Sequence, residues 1–173
     1  MKGVQLTMAD EKLQHGRQLG QVEAGQLDWL FPYRPSKDTK QLNPIVLAYI
    51  GDAVYEMAVR QYVISQANHR PNHMHRESIK LVSAKAQARN LQKLVPFLSE
   101  EEADVVRQGR NTKSNVPRSA NVNEYRQATA LEALFGFLYY EKRMERLREL
   151  VELMMSEDDG FINEKVVVSE DNE

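Results

Sequence analysis

The chain has no cysteine. A disulfide framework and a thiolate metal centre are both excluded, and the absence accords with a reducing, cytoplasmic setting. No apolar run approaches the roughly 20 residues that a membrane-spanning helix needs, so no membrane partner is expected. The N-terminus lacks the basic, apolar and small-residue layout of a secretory signal. Charge of one sign is not in excess either. The formal net charge is −2, so the composition as a whole does not announce a polyanionic partner. What is present is 173 residues, 42% of them hydrophobic, enough for one domain with a sizeable core and tails.

The distribution of charge says more than its sum. Between Arg60 and Arg126 there are twelve Lys/Arg against six Asp/Glu, a net +6. From Glu157 to the end, seven acids face Lys165 alone. A basic middle followed by an acidic tail points to a polyanion bound by the middle.

Punctuation and periodicity give an all-α chain. Residues 1–36 are polar with scattered glycines and read as a flexible extension, apart from an apolar cluster at Leu27, Trp29, Leu30 and Phe31. Asn43-Pro44 is an N-cap followed by proline at the first helical position, and opens a helix expected to reach Gln66. A second, short helix is expected from Asn72 to Val82. A third, alanine-rich and basic, is expected from Ser83 to Leu94, where Lys85, Arg89 and Lys93 form one stripe. Ser99 and Glu102 form a capping box for a helix expected to end near Gly109. Arg110 to Asn121 reads as a basic loop holding Arg110, Lys113 and Arg118. Asn121 with Glu124 opens a helix through Tyr140, and Met144 to Met155 is a further amphipathic run. The core domain is thus assigned to residues 37–156, and residues 157–173 to an acidic tail in which Val166 to Val168 are an isolated β-prone run.

The stretch L-A-Y-I-G-D-A-V-Y-E, Leu47 to Glu56, sets a glycine inside the first helix directly before Asp52. A mid-helix glycine costs about 1 kcal/mol against alanine, so it marks a place where something approaches the backbone. Ala48, Asp52 and Glu56 fall on one face, and Ile50, Val54 and Met57 on another that reads as buried. Glu132 lies in a similar setting, with Ala128, Thr129 and Gly136 within one turn. Two carboxylates on core helices suit Mg²⁺, a hard cation that takes oxygen ligands and keeps several waters. The competing reading is that both acids are simply the wet faces of amphipathic helices. His69, His73 and His75 straddle a proline turn without a zinc-site layout and read as surface or RNA-facing. Asn111, Ser114 and Thr129 have no histidine–acid pair near them in sequence and form no nucleophile constellation.

L-A-Y-I-G-D-A-V-Y-E resembles the signature of the ribonuclease III family, and A-T-A-L-E-A-L-F-G, residues 128–136, resembles its second motif. G-R-N-T-K-S, residues 109–114, resembles the basic stretch upstream of that motif. Order and spacing agree over residues 37–155, and the short chain is similar to the compact Mini-III branch, which lacks a double-stranded-RNA-binding domain. The resemblance implies an all-α endonuclease domain, a homodimer, Mg²⁺, and hydrolysis of double-stranded RNA to 5′-phosphate and 3′-hydroxyl ends. It implies that Asp52 and Glu132 are catalytic metal ligands. The family's other two acids fall on Ala48 and Thr129, and water or Glu56 is expected to fill the gap. The substrate carried over by analogy is the paired ends of the precursor of 23S ribosomal RNA, with a large-subunit ribosomal protein as helper. Lys85, Arg89, Arg110, Lys113 and Arg118 are the expected RNA contacts. The alternative is a non-catalytic double-stranded-RNA-binding module that kept the fold and lost two acids.

Overall fold

The computed structural model describes residues 31, 33–113 and 121–156. The backbone divides into two compact units at Pro35/Ser36, and the helices described below all belong to the second. They are α1 (Pro44–Ser65), α2 (Pro71–Val82), α3 (Ala84–Leu94), α4 (Glu100–Asn111), α5 (Val122–Tyr140) and α6 (Met144–Met155). Short 3-10 turns occupy Thr39–Gln41 and Val95–Phe97, and there is no strand among the described residues. The all-α expectation holds. Arg118 and the tail after Ser156 lie outside the described residues.

Local chemistry fixes the helix starts. The Asn43 side chain accepts from the Ile45 N–H at 3.0 Å ahead of Pro44. Ser83 closes α2 and opens α3, its hydroxyl accepting from the Ala86 N–H at 3.3 Å. The Ser99–Glu102 capping box is complete in both directions, at 3.3 and 2.9 Å. Asn121 accepts from the N–H groups of Asn123 and Glu124. Each such cap contributes about 1 kcal/mol by satisfying amides that the helix leaves free. α5 ends in a Schellman motif: the Lys142 N–H donates to the Tyr139 carbonyl and the Arg143 N–H to that of Leu138. Lys142 takes the left-handed conformation the motif requires, with φ 59°.

α5 is the central element. From Ala128 to Tyr139 only Glu132 escapes full burial, and the helix packs against α1, α3, α4 and α6. A helix apolar on every side must be enclosed by others. Leu131, Leu134, Phe135 and Leu138 are fully buried, each contributing about 1.5–3 kcal/mol through removal from water. The ring of Phe135 meets that of Tyr55 edge-on at 5.4 Å.

One expectation is corrected. The buried face of α1 consists of Leu47, Ala48, Gly51, Tyr55, Val59 and Val63. Ile50 and Val54 are only half-buried, and Met57 is exposed. The face is set by close approach at Gly51, not by the bulkiest residues. As expected, the helix that holds Gly109 ends close to it, at Asn111, and this glycine also has a packing role. It is small because α4 rests on α5 there: a Cβ on Gly109 would lie 2.9 Å from the Ala130 Cα.

Ionic contacts tie α6 to α4. Arg146 donates to both carboxylate oxygens of the buried Glu102 at 2.9 Å and to the Phe97 carbonyl at 2.6 Å. Burial pushes the Glu102 carboxyl up, but Arg146 and the Ser99 amide prevail and hold it below the usual range. Glu101 pairs with Lys40 and Arg143 at 3.0 and 2.7 Å.

Candidate active site

The site is the crossing of α1 and α5. Its geometry follows from two glycines, one on each helix. A Cβ on Gly51 would overlap the Glu132 carbonyl oxygen and come within 2.6 Å of the Gly136 nitrogen. A Cβ on Gly136 would overlap the Leu47 carbonyl oxygen and come within 2.8 Å of its carbon. The two backbones therefore touch directly, each through the other's missing side chain. Asp52 follows one glycine, and Glu132 lies one turn before the other, so the contact brings the two acids close enough for the Asp52 charge to act on Glu132.

Their electrostatics reflect that closeness. Burial, reinforced by the Asp52 charge, pushes the Glu132 carboxyl up to about 7, while a hydrogen bond from the Gln87 side chain pulls the other way. Asp52 is raised as well, first by burial and then by the charge of Glu56. Burial and like charge thus disfavour ionisation of both acids, Glu132 beside Asp52 and Asp52 beside Glu56. As a donor set they are hard oxygens, which fit a divalent cation that keeps waters in its remaining positions.

The other expected residues are placed as follows. Glu56 is turned along α1 to Arg60, with oxygen and nitrogen 2.6 Å apart. An arginine one turn away competes for it, and no three His, Cys, Asp or Glu side chains among the described residues gather as a metal site. Ala48 and Thr129 are both buried in the core, so the carboxylates that the resemblance places there have no counterpart on this surface. Lys85 and Arg89 are exposed on α3, on the side away from Gln87. Arg110 and Lys113 are exposed at the end of α4, next to the point where Gly109 rests on Ala130, less than a turn before Glu132. His69 bonds to the Ile64 carbonyl at 2.9 Å and His73 faces Arg76 and Glu77, so the histidines do not converge.

Gln87 went unforeseen. It lies on the buried face of α3 with Ala86, Leu91 and Leu94, and it reaches Glu132. The available signal was a polar residue at helical spacing from two buried leucines in an otherwise alanine-rich helix. Asn90, on the same face, donates to the Tyr55 hydroxyl at 3.0 Å, and that hydroxyl donates to the Leu81 carbonyl at 3.0 Å. This buried chain braces α1 one turn beyond Asp52.

The model of the ribonuclease III domain matches residues 45–143, a span that holds both acids and both glycines. The Mini-ribonuclease 3 of a Thermoanaerobacter species is 49% identical over 65% of this chain and 80% of its own length. That of Staphylococcus aureus is 42% identical over 73% of this chain and 93% of its own length. A crystal structure of a Fusobacterium nucleatum protein superposes with a TM-score of 0.64 at 31% identity, covering 71% of this chain and 99% of that one. The motifs, the helical architecture and these likenesses agree: the chain belongs to the ribonuclease III family of endoribonucleases, in its Mini-ribonuclease 3 branch.

Proposed function

We propose that this chain cleaves double-stranded RNA with Mg²⁺ held by Asp52 and Glu132. The observation that carries the reading is the pair of carboxylates carried on touching helices, both raised in pKa by burial and then by a neighbouring carboxylate. A divalent cation bound there supplies an activated water and charge relief at the scissile phosphate. The chain's own residues do the rest. Asp52 and Glu132 fix the cation's position from two rigid helices. Glu56, paired with Arg60, adds negative charge near Asp52 without direct ligation. Arg110 and Lys113 hold RNA phosphates at the α5 side of the site, Lys85 and Arg89 extend the basic surface, and Arg118 supplies a further phosphate contact. Duplex RNA is recognised through phosphates and 2′-hydroxyls, which suits basic residues on helix ends more than a base-reading pocket.

The finer reading includes a homodimer. Ile45, Val46, Tyr49, Met57 and Ile64 expose an apolar stripe along α1, with Tyr49 85% accessible. A stripe of that kind beside the acids favours pairing that sets two sites against two strands. The catalytic domain is taken as residues 37–156, with residues 1–36 an extension and 157–173 an acidic tail. The proposed substrate is the paired ends of the 23S ribosomal RNA precursor in the cytoplasm, with a large-subunit ribosomal protein as helper.

The test is cleavage of a long RNA duplex against Mg²⁺ concentration for wild type and Asp52→Asn. The variant keeps shape and loses charge, so cleavage should vanish while duplex binding stays within severalfold. Glu132→Gln should behave alike, and the double variant should lose no more than either single one. Near-normal cleavage by Asp52→Asn at saturating Mg²⁺ would refute the assignment. Duplex binding by a wild type that never cleaves would favour the non-catalytic module.

A further inference from the structure

α6 ends at Met155 on a negative note. Its last turn holds no basic residue and keeps Glu152 exposed. The sequence then continues Glu157-Asp158-Asp159, and residues 157–173 together hold seven acids and one lysine. The carbonyl end of a helix disfavours negative charge, so acids placed there are stabilised only by cations from elsewhere. The arginines around the start of α6 are already engaged: Arg143 pairs with Glu101, Arg146 with Glu102 and Glu149, and Arg148 with Glu145.

α3 packs on α6 and has the opposite character. It contains no acid. Lys85 and Arg89 are exposed and Lys93 is half-buried, and the three follow one another at four-residue spacing. Cations thus line about 12 Å of one helix face. Lys85 stands in the first turn, where the amide end of the helix adds to the positive potential. Reach sets no limit. Residues 157–173 cover up to about 55 Å when extended, against roughly 16 Å for the whole of α3.

We propose that the basic face of α3 is a docking surface for the acidic segment 157–173 of the same chain, which covers Lys85 and Arg89 until duplex RNA displaces it. The docking needs only the charges; the competition rests on the RNA contacts proposed above for those two residues. Carboxylates along a peptide and phosphates along a strand offer the cations the same thing, a line of anionic oxygens. Exposed ion pairs are individually weak, but a short tether supplies an effective concentration in the millimolar range. The segment therefore lowers RNA affinity severalfold and not by orders of magnitude. RNA prevails because it also engages Arg110 and Lys113.

The absence of cysteine allows a direct test on the full chain. Asn163→Cys creates a single thiol for a nitroxide label. At low salt the label should broaden the amide resonances of Ala84 to Leu94. The broadening should vanish at 1 M salt, where the Debye length falls to about 3 Å. It should vanish also when Lys85→Gln and Arg89→Gln are combined, and on addition of an RNA duplex. Broadening that is absent, confined to other helices, or indifferent to salt would overturn the docking. A second variant carries the seven acids of the segment as their amides. It should bind the duplex severalfold more tightly than wild type at low salt and equally at high salt. Equal affinity at low salt would overturn the competition. So would a gain that persists undiminished with Lys85→Gln and Arg89→Gln, since general repulsion then explains it. A duplex that binds neither chain would refute the RNA reading and the competition with it, whereas the docking is decided by the label alone.

Discussion

Replacing Gly51 with alanine adds one methyl group at the crossing of α1 and α5. On an exposed helix that exchange would stabilise the protein by about 1 kcal/mol. Here the new carbon would overlap the Glu132 carbonyl oxygen and lie 2.6 Å from the Gly136 nitrogen. Both obstacles are helix backbone and cannot rotate aside, so α1 and α5 must part by more than about 1 Å to restore ordinary contact. Overpacking a close-packed interior costs about 1–3 kcal/mol, occasionally more, and the parted helices also loosen the layer around Tyr55 and Phe135. The clash outweighs the gain in helix propensity, and a net loss of about 2–4 kcal/mol is expected. For a domain of this size that lowers the melting temperature by roughly 10 °C. Thermal and urea unfolding followed by circular dichroism measure it. Two glycines provide the scale. Gly136→Ala should cost about as much, whereas Gly109→Ala should cost less, because its nearest neighbours, the Ala130 Cα and Ala133 Cβ, lie at 2.9 and 3.0 Å. A Gly51→Ala variant melting at or above wild type would mean that the helices do not meet through their backbones.

Arg146→Met leaves Glu102 buried without its countercharge and should cost about 3–5 kcal/mol in urea unfolding, with much of that recovered by adding Glu102→Gln. Glu132 has a folded pKa of about 7, above its unfolded value, so without metal its contribution is unfavourable above that pH and fades as pH falls through 7 toward 4.5. Glu132→Gln should therefore raise the melting temperature in chelator at pH 8 and leave it almost unchanged at pH 4.5; the opposite order would refute the burial argument. Removing charge at Arg110 and Lys113 together should flatten the fall of log affinity with log salt for an RNA duplex by about two phosphate contacts. Tyr49→Glu, on the exposed stripe of α1, should shift sedimentation toward monomer at micromolar concentration without lowering the melting temperature of the monomer.

Helix starts were legible because they are decided within four residues. Asn43, Ser83, Ser99 and Asn121 each cap the helix their sequence context announces. The buried face of α1 was not legible, because apolar residues surround the whole helix. Ile45, Tyr49, Met57 and Ile64 line the outside while Leu47, Tyr55 and Val59 line the inside, so spacing alone does not choose between them. What chooses is the contact of Gly51 with α5, a tertiary event. The glycine itself correctly marked a close approach, though the approaching group was backbone. Asp52 and Glu132 were singled out by their small-residue settings and motifs, and the two helices that carry them are the ones that cross. Gln87 was missed because its importance depends on Glu132, forty-five positions away in the chain. Glu56 was expected to stand in for the acids that the resemblance places at Ala48 and Thr129; in the structure it pairs with Arg60.

The paired glycines also constrain how this site can change. No residue is smaller than glycine, so the span between the helices already stands at its minimum. Substitution at either position can only widen it, whereas most distances in a protein drift in both directions. The spacing between the helices that carry Asp52 and Glu132 thus has a hard floor and no adjustment on one side. Fine variation at the site is left to the rotamers of the two carboxylates, while the helices that carry them act as a fixed gauge.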